Sequence, residues 1–104
     1  MEGRGVNLDW KDPEEIIVIT FPFADELGTE SISAGTAVVS IAVKEGVDAA
    51  AAAMLNGAPV ISGTNVFQSM INGVNGVVYG LRCRIDTSGG RRLVLTANLP
   101  VRTA

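Results

Sequence analysis

The chain has no histidine in its 104 residues. That absence removes the Ser-His-Asp triad, the Cys-His pair, the common zinc site and the usual general base near neutral pH. A single cysteine, Cys83, leaves no possibility of an internal disulfide and points to a reducing site of synthesis. Aromatic residues make up only 5%, namely Trp10, Phe21, Phe23, Phe67 and Tyr79, too few for a stacking platform on nucleic acid. The longest purely apolar run, Ala49 to Leu55, is far short of the roughly 20 residues a membrane span needs. Nor does Met1-Glu2-Gly3-Arg4-Gly5 begin like a signal peptide. These deficits describe a building part, with no catalysis, cofactor, nucleic acid or membrane expected.

What the chain does have is branched side chains. Val, Ile and Thr supply 28 residues, and such side chains suit pleated, half-buried surfaces. Residues 1–14 are polar, punctuated by Gly3, Gly5 and Pro13, and read as an extended arm; residues 15–104 read as one domain. Glu15 to Phe23 alternates Ile17, Ile19, Phe21 and Phe23 against Ile16, Val18 and Thr20, and Pro22 marks this strand as an edge or its end. Asp25 to Gly28 reads as a turn, Ser31 to Ser33 as a short strand, and Thr36 to Val43 as a longer one. Asp48 and the alanines that follow predict a helix of up to two turns, capped by Asp48 and ended near Gly57. Short strands follow at 58–62 and 65–71, and a hairpin runs from Gly76 to Val101 about Thr87-Ser88-Gly89-Gly90.

About seven such strands with Gly-rich turns predict an all-β, Ig-like antiparallel sandwich with an amino-terminal arm and one short helical crossover. Tyr79 stands near the start of the penultimate strand, where Ig-like sandwiches place the tyrosine that ties down a corner. The immunoglobulin disulfide and central-strand tryptophan are missing, since Leu81 fills the cysteine position and Trp10 lies in the arm.

Charge is unevenly placed. Residues 1–48 hold ten acids against three bases, whereas 49–104 hold five arginines against Asp86. Such polarity either orients neighbouring copies through complementary potentials or is ordinary surface charge. From Ala49 through Leu81, 33 consecutive residues carry no charge. Either a partner covers part of this stretch or it forms central strands and Gly/Asn turns.

Residues able to carry chemistry are few. Glu14 and Glu15 are adjacent, so along a strand they point to opposite faces and read as a solvated strand entry. Asp9, Asp12, Glu14 and Glu15 form a loose acidic cluster without the spacing of a calcium loop. Cys83 sits between Leu81 and Ile85 on an apolar face, as a packing residue. Gly73, Gly76 and Gly80 lack the helix and Lys-Ser/Thr of a phosphate loop. Arg82 and Arg84 share one strand face with Arg91 and Arg92 across the turn, a basic patch suited to the acidic residues of a neighbouring protein.

The opening Leu8-Asp9-Trp10-Lys11-Asp12-Pro13-Glu14-Glu15 resembles a start common in small tailed-phage and prophage structural proteins. So do Gly57-Ala58-Pro59-Val60, Gly76-Val77-Val78-Tyr79, Thr87-Ser88-Gly89-Gly90-Arg91 and Leu99-Pro100-Val101. From about Leu8 to Val101 the chain resembles the phage fiber-tail adaptor family. That resemblance implies a non-enzymatic virion component at the tail or head-tail junction, assembled in the bacterial host cytoplasm and present in several copies. Its partners would be tail-body or portal/connector proteins, tail fibers and copies of itself. It also implies that Trp10, Asp12 and Pro13 belong to a docking segment and that Tyr79 is structural. Trp10 either anchors a partner or folds back onto its own sandwich. Other head-tail joining parts, and a carbohydrate-binding sandwich, remain the alternative readings.

Overall fold

Every second residue from Ile19 to Phe23 is buried, as is every second one from Val77 to Leu99 outside the connecting turn. This period of two is what places one face of each strand in a shared core. The computed structural model describes residues 5–103, with side chains from Leu8 onward; the first four residues of the expected arm, and Ala104, lie outside the described residues. The strands are β1 (Gly5–Asn7), β2 (Ile17–Pro22), β3 (Val38–Glu45), β4 (Val60–Ser62), β5 (Asn65–Met70), β6 (Val78–Asp86) and β7 (Arg92–Pro100).

One sheet has the order β2-β5-β4 and the other β1-β7-β6-β3, antiparallel throughout except that β1 runs parallel to β7. The order β2-β5-β4 facing β7-β6-β3 matches the B-E-D and G-F-C strands of Ig-like sandwiches. Phe21, Val66 and Met70 from one sheet and Tyr79, Leu81, Cys83 and Leu99 from the other belong to one core. Residues of the expected arm are laid on the sandwich itself: β1 pairs with Thr96–Asn98, and Lys11 bridges to Val101.

Register reveals which backbone groups β2 leaves outward. The Phe23 amide donates to the Thr64 carbonyl at 2.9 Å, and Phe23 and Thr64 continue the β2–β5 register. In an antiparallel ladder, hydrogen-bonded and non-hydrogen-bonded pairs alternate, so the odd residues of β2 bond to β5 and the even ones face away. Pro22 therefore sits on an edge strand where its missing N–H costs no ladder bond, as its sequence position suggested.

Three expectations change. The alanine run makes one 3-10 turn, Ala51–Met54, in place of a helix of up to two turns. Alanine favours helix, but so short a segment cannot offset the cost of nucleation once Met54 is drawn into the core and Leu55 pairs with Met70. Asp48 does not cap that turn directly, because its Oδ1 accepts the Ala50 amide at 2.9 Å, one residue earlier. Asp25 to Gly28 is more regular than expected: α1 (Ala24–Leu27) is a single α-turn that buries Leu27 and ends at Gly28, φ 62°. Ser31 to Ser33 contributes only a bridge from Ile32 to Thr87. No helix among the described residues is long and apolar enough to cross a membrane.

Candidate interaction surfaces

The Asp-Trp-Lys-Asp-Pro segment is built around a lysine. Leu8 and Lys11 amides donate to Asn98 and Pro100 carbonyls at 2.8 and 2.9 Å, and the Arg102 amide returns a bond to Lys11 at 3.0 Å. Lys11 is fully buried, and its Nζ donates to the carbonyls of Asn72 (2.7 Å) and Asp12 (2.9 Å). Burial holds its pKa below the usual lysine value, against the opposing charges of Glu15 and Asp12. Asp12, Pro13, Glu14 and Glu15 close a turn. The Asp12 carboxylate accepts the Glu14 amide, the Glu15 carboxylate accepts the Asp12 amide, and the Glu15 amide donates to the Asp12 carbonyl. Asp12 and Pro13 thus shape the entry to β2, and Glu15 folds back on this turn.

This bracing leaves Trp10 45% exposed. The Arg102 guanidinium lies 5.7 Å from its ring centroid, within cation–π range. The indole borders an open cleft of about 400 Å³ with Leu8, Val77, Val78 and Pro100. Trp10 therefore rests against its own domain along one side and presents the other to solvent.

Tyr79 is the corner. Its hydroxyl accepts the Val74 amide at 2.9 Å and donates to Asp48 Oδ2 at 2.6 Å. Burial, followed by the bond to the Asp48 carboxylate, pushes its pKa up to about 12. The Val74 bond is the expected backbone tie; Asp48, 31 residues upstream, is an added partner.

The four arginines divide into two kinds. Arg92 is bidentate on Asp86, at 2.7 and 3.2 Å. Arg91 Nε bonds Glu30 at 3.0 Å, and its Nη2 reaches the Glu26 and Leu27 carbonyls. The Thr87 hydroxyl donates to the same Glu30 and accepts the Arg91 amide, so the β6–β7 turn is clamped onto the 26–31 segment. Glu30 is held below the ordinary carboxylate range first by Thr87 and then by Arg91; Arg92 does the same for Asp86. Arg82 and Arg84 lie on the same outer face as the Arg92–Asp86 pair, opposite Ser40 and Val38 of β3. Beside Arg82, Lys44 crosses Gly80, where an added Cβ would come within 2.7 Å of the Lys44 Cε. With Thr96 and Asn98 these residues line a shallow groove of about 320 Å³.

Trp10 and the Arg91–Arg92 turn occupy opposite ends of β7, roughly 27 Å apart at about 3.4 Å per residue. Sequence reasoning did not find the structural roles of Lys11 and Glu30, and it placed Asp48 as a cap and not as the partner of Tyr79. An Asp-Pro-Glu-Glu turn beside a lysine hints at the first, but the partners of Glu30 and Asp48 are 61 and 31 residues away. Chemically, these surfaces offer ion pairing, aromatic burial and backbone pairing. Cys83 is fully buried, and burial pushes its thiol up to about 12, which leaves it unreactive.

No curated protein and no solved structure gives a significant match. A family model does, that of the podophage GP4 fiber-tail adaptor protein gp77, over residues 11–100. The match spans the Lys11–Glu15 turn, the strands from β2 to β7 and the tyrosine corner, and the chain belongs to this family of phage fiber-tail adaptor structural proteins.

Proposed function

We propose that the protein is a non-enzymatic link in a tailed-phage or prophage virion, joining the tail body or head-tail connector to the tail fibers. The family match over residues 11–100 carries this reading. The sandwich acts as a rigid spacer whose two ends present different chemistry. At one end Trp10, held by the Asp12–Pro13 turn, offers half an indole and an adjoining apolar cleft to a partner. Buried aromatics of this kind dominate interface energy. At the other end Arg91 and Arg92 stiffen the β6–β7 turn by binding Glu30 and Asp86, and Arg82 and Arg84 present positive charge on the neighbouring face. Several copies sit in each particle, each offering these surfaces to tail proteins or to its neighbour.

The test is incorporation into particles. Arg82→Glu alters an exposed side chain and keeps its melting temperature within a few degrees, whereas Trp10→Ala also removes the half of the indole packed on its own domain, so both variants are assembled at a temperature where circular dichroism shows them folded. Purified particles made with Trp10→Ala should lose the adaptor or the fibers, and those made with Arg82→Glu should carry less of it. Fibered particles with normal adaptor content from both variants would defeat the proposal.

A further inference from the structure

Among the described residues four strand edges bound the two sheets, and three are blunted. β1 and β4 are only three residues long. β3 has a register irregularity between Val43 and Glu45 and carries exposed Lys44 and Glu45 there. Short strands, bulges and charges are the usual means of preventing edge-to-edge pairing. β2 has none of these and, of the prolines that also blunt edges, only Pro22 at its last residue: it is uncharged over Ile17–Pro22 and keeps regular register with β5 throughout. Its outward backbone groups are those of Ile16, Val18 and Thr20, together with the Pro22 carbonyl, and none has a backbone partner among the described residues. Beside them Ile16 and Val18 are 71% and 62% exposed. In an A-B-E-D sheet this edge is covered by the chain's first strand, but here β1 lies on β7.

We infer that the free edge of β2 is a strand-addition site that takes an extended segment of another protein, apolar at alternate positions and basic at both ends. Backbone bonds supply attachment in this mode, and side-chain pockets and flanking charge supply choice. The flanks of β2 are acidic: Glu14 and Glu15 precede it and Asp25 and Glu26 follow it, and the cations placed beside them are Lys11, buried, and Arg91, engaged by Glu30 and the Glu26 and Leu27 carbonyls. A second copy of β2 is a poor occupant. Antiparallel pairing sets the leading acids of one strand beside the trailing acids of the other, parallel pairing sets identical acids together, and like charges across a strand pair oppose association. Three outward amides limit the added ladder to about five residues.

The test uses the full chain, ¹⁵N-labelled, and three peptides: Lys-Lys-Thr-Val-Thr-Ile-Thr-Lys-Lys, its analogue with glutamate for lysine, and the lysine peptide with N-methyl groups on alternate central residues. The lysine peptide should slow exchange of the Val18 and Thr20 amides at least tenfold. The glutamate peptide should bind at least tenfold more weakly, and the N-methylated one should give no protection. Val18→Lys, a change at an exposed side chain, should abolish the effect without lowering the melting temperature. Failure of the lysine peptide to protect Val18 and Thr20 at millimolar concentration, or equal binding of the lysine and glutamate peptides, would overturn the inference. So would binding that survives N-methylation or Val18→Lys, or concentration-dependent protection of these amides without peptide, which would assign the edge to a second copy. None of these outcomes depends on particle incorporation, so the adaptor reading stands or falls separately.

Discussion

Removing one oxygen atom tests how this sandwich is held at its corner. Tyr79→Phe keeps the ring in a site with no exposed surface but deletes the hydroxyl that accepts the Val74 amide and donates to Asp48. A hydrogen bond to a charged group contributes about 1.5–3 kcal/mol net, and an orphaned backbone donor costs about 1–3 kcal/mol. Asp48 is only partly buried and keeps its bond from the Ala50 amide, so water compensates part of its loss and the low ends apply. The combined loss is then about 2–3 kcal/mol, or a melting temperature lowered by roughly 10–20 °C in a domain of this size. Urea titration followed by circular dichroism should show a lower midpoint with an unchanged slope, because the surface exposed on unfolding is the same. Asp48→Asn retains an acceptor and should cost less, and the double variant should lose less than the sum because both changes act on one bond. A Tyr79→Phe loss below about 0.5 kcal/mol would refute the reasoning, since a donor and a carboxylate would have been released at no cost.

Two further outcomes follow from buried groups and close approaches. Tyr79 and Cys83 both have pKa values raised to about 12, from ordinary values of 10.0 and 9.0. The unfolded chain gives up these protons first, so stability is intact below pH 9 and falls between about 9 and 12; Cys83→Ala should delay the onset to about pH 10 in denaturant midpoints taken against pH. At Gly73, φ is +109° and an added Cβ would lie 2.9 Å from Val101 Cγ2 and 3.1 Å from Met54 Cε. Gly73→Ala should therefore cost about 2 kcal/mol or more, whereas Gly80→Ala displaces only the flexible end of Lys44 and should stay within about 0.5 kcal/mol of the parent in thermal melts.

How much was legible in the sequence depended on how local the determining interaction is. The β6–β7 hairpin could be read residue by residue, because alternation and a Gly-Gly turn lie within one stretch of chain. The apolar face of β2 was equally plain, and so was the location of Tyr79 and Cys83 in the core. The alanine run misled because propensity predicts a helix wherever length allows, and here the packing of Met54 and Leu55 set the length. β1 was not visible at all: Gly5-Val6-Asn7 has no strand pattern and becomes a strand through the edge that β7 offers. At the candidate surfaces, Trp10 and the four arginines could be singled out from the sequence, but the partners they find within the domain could not. The Arg91–Glu30 and Tyr79–Asp48 contacts join segments whose proximity depends on sheet packing, and no spacing rule links them.

The uncharged stretch from Ala49 to Leu81 divides once its residues are assigned to faces. Val66, Gln68, Met70, Val77, Tyr79 and Leu81 are buried, and for them the absence of charge is the ordinary condition of a core. Val60, Ser62, Asn65, Phe67 and Ser69 point the other way, and register aligns them with Val18, Thr20 and Pro22 as the outer face of the β2-β5-β4 sheet. That whole face carries no charge, whereas the outer face of the other sheet carries Lys44, Arg82, Arg84 and Arg92 against Glu45 and Asp86. Solubility alone does not account for this difference, because both faces meet the same solvent. The proposed role offers an account: ionic groups on a face to be covered must be desolvated, while charges on a face left open can steer an approaching protein and remain hydrated. We propose that the two sheets have separate tasks, the basic one orienting the adaptor during encounter and the uncharged one, with the free edge of β2, adding to the lasting contact made at Trp10.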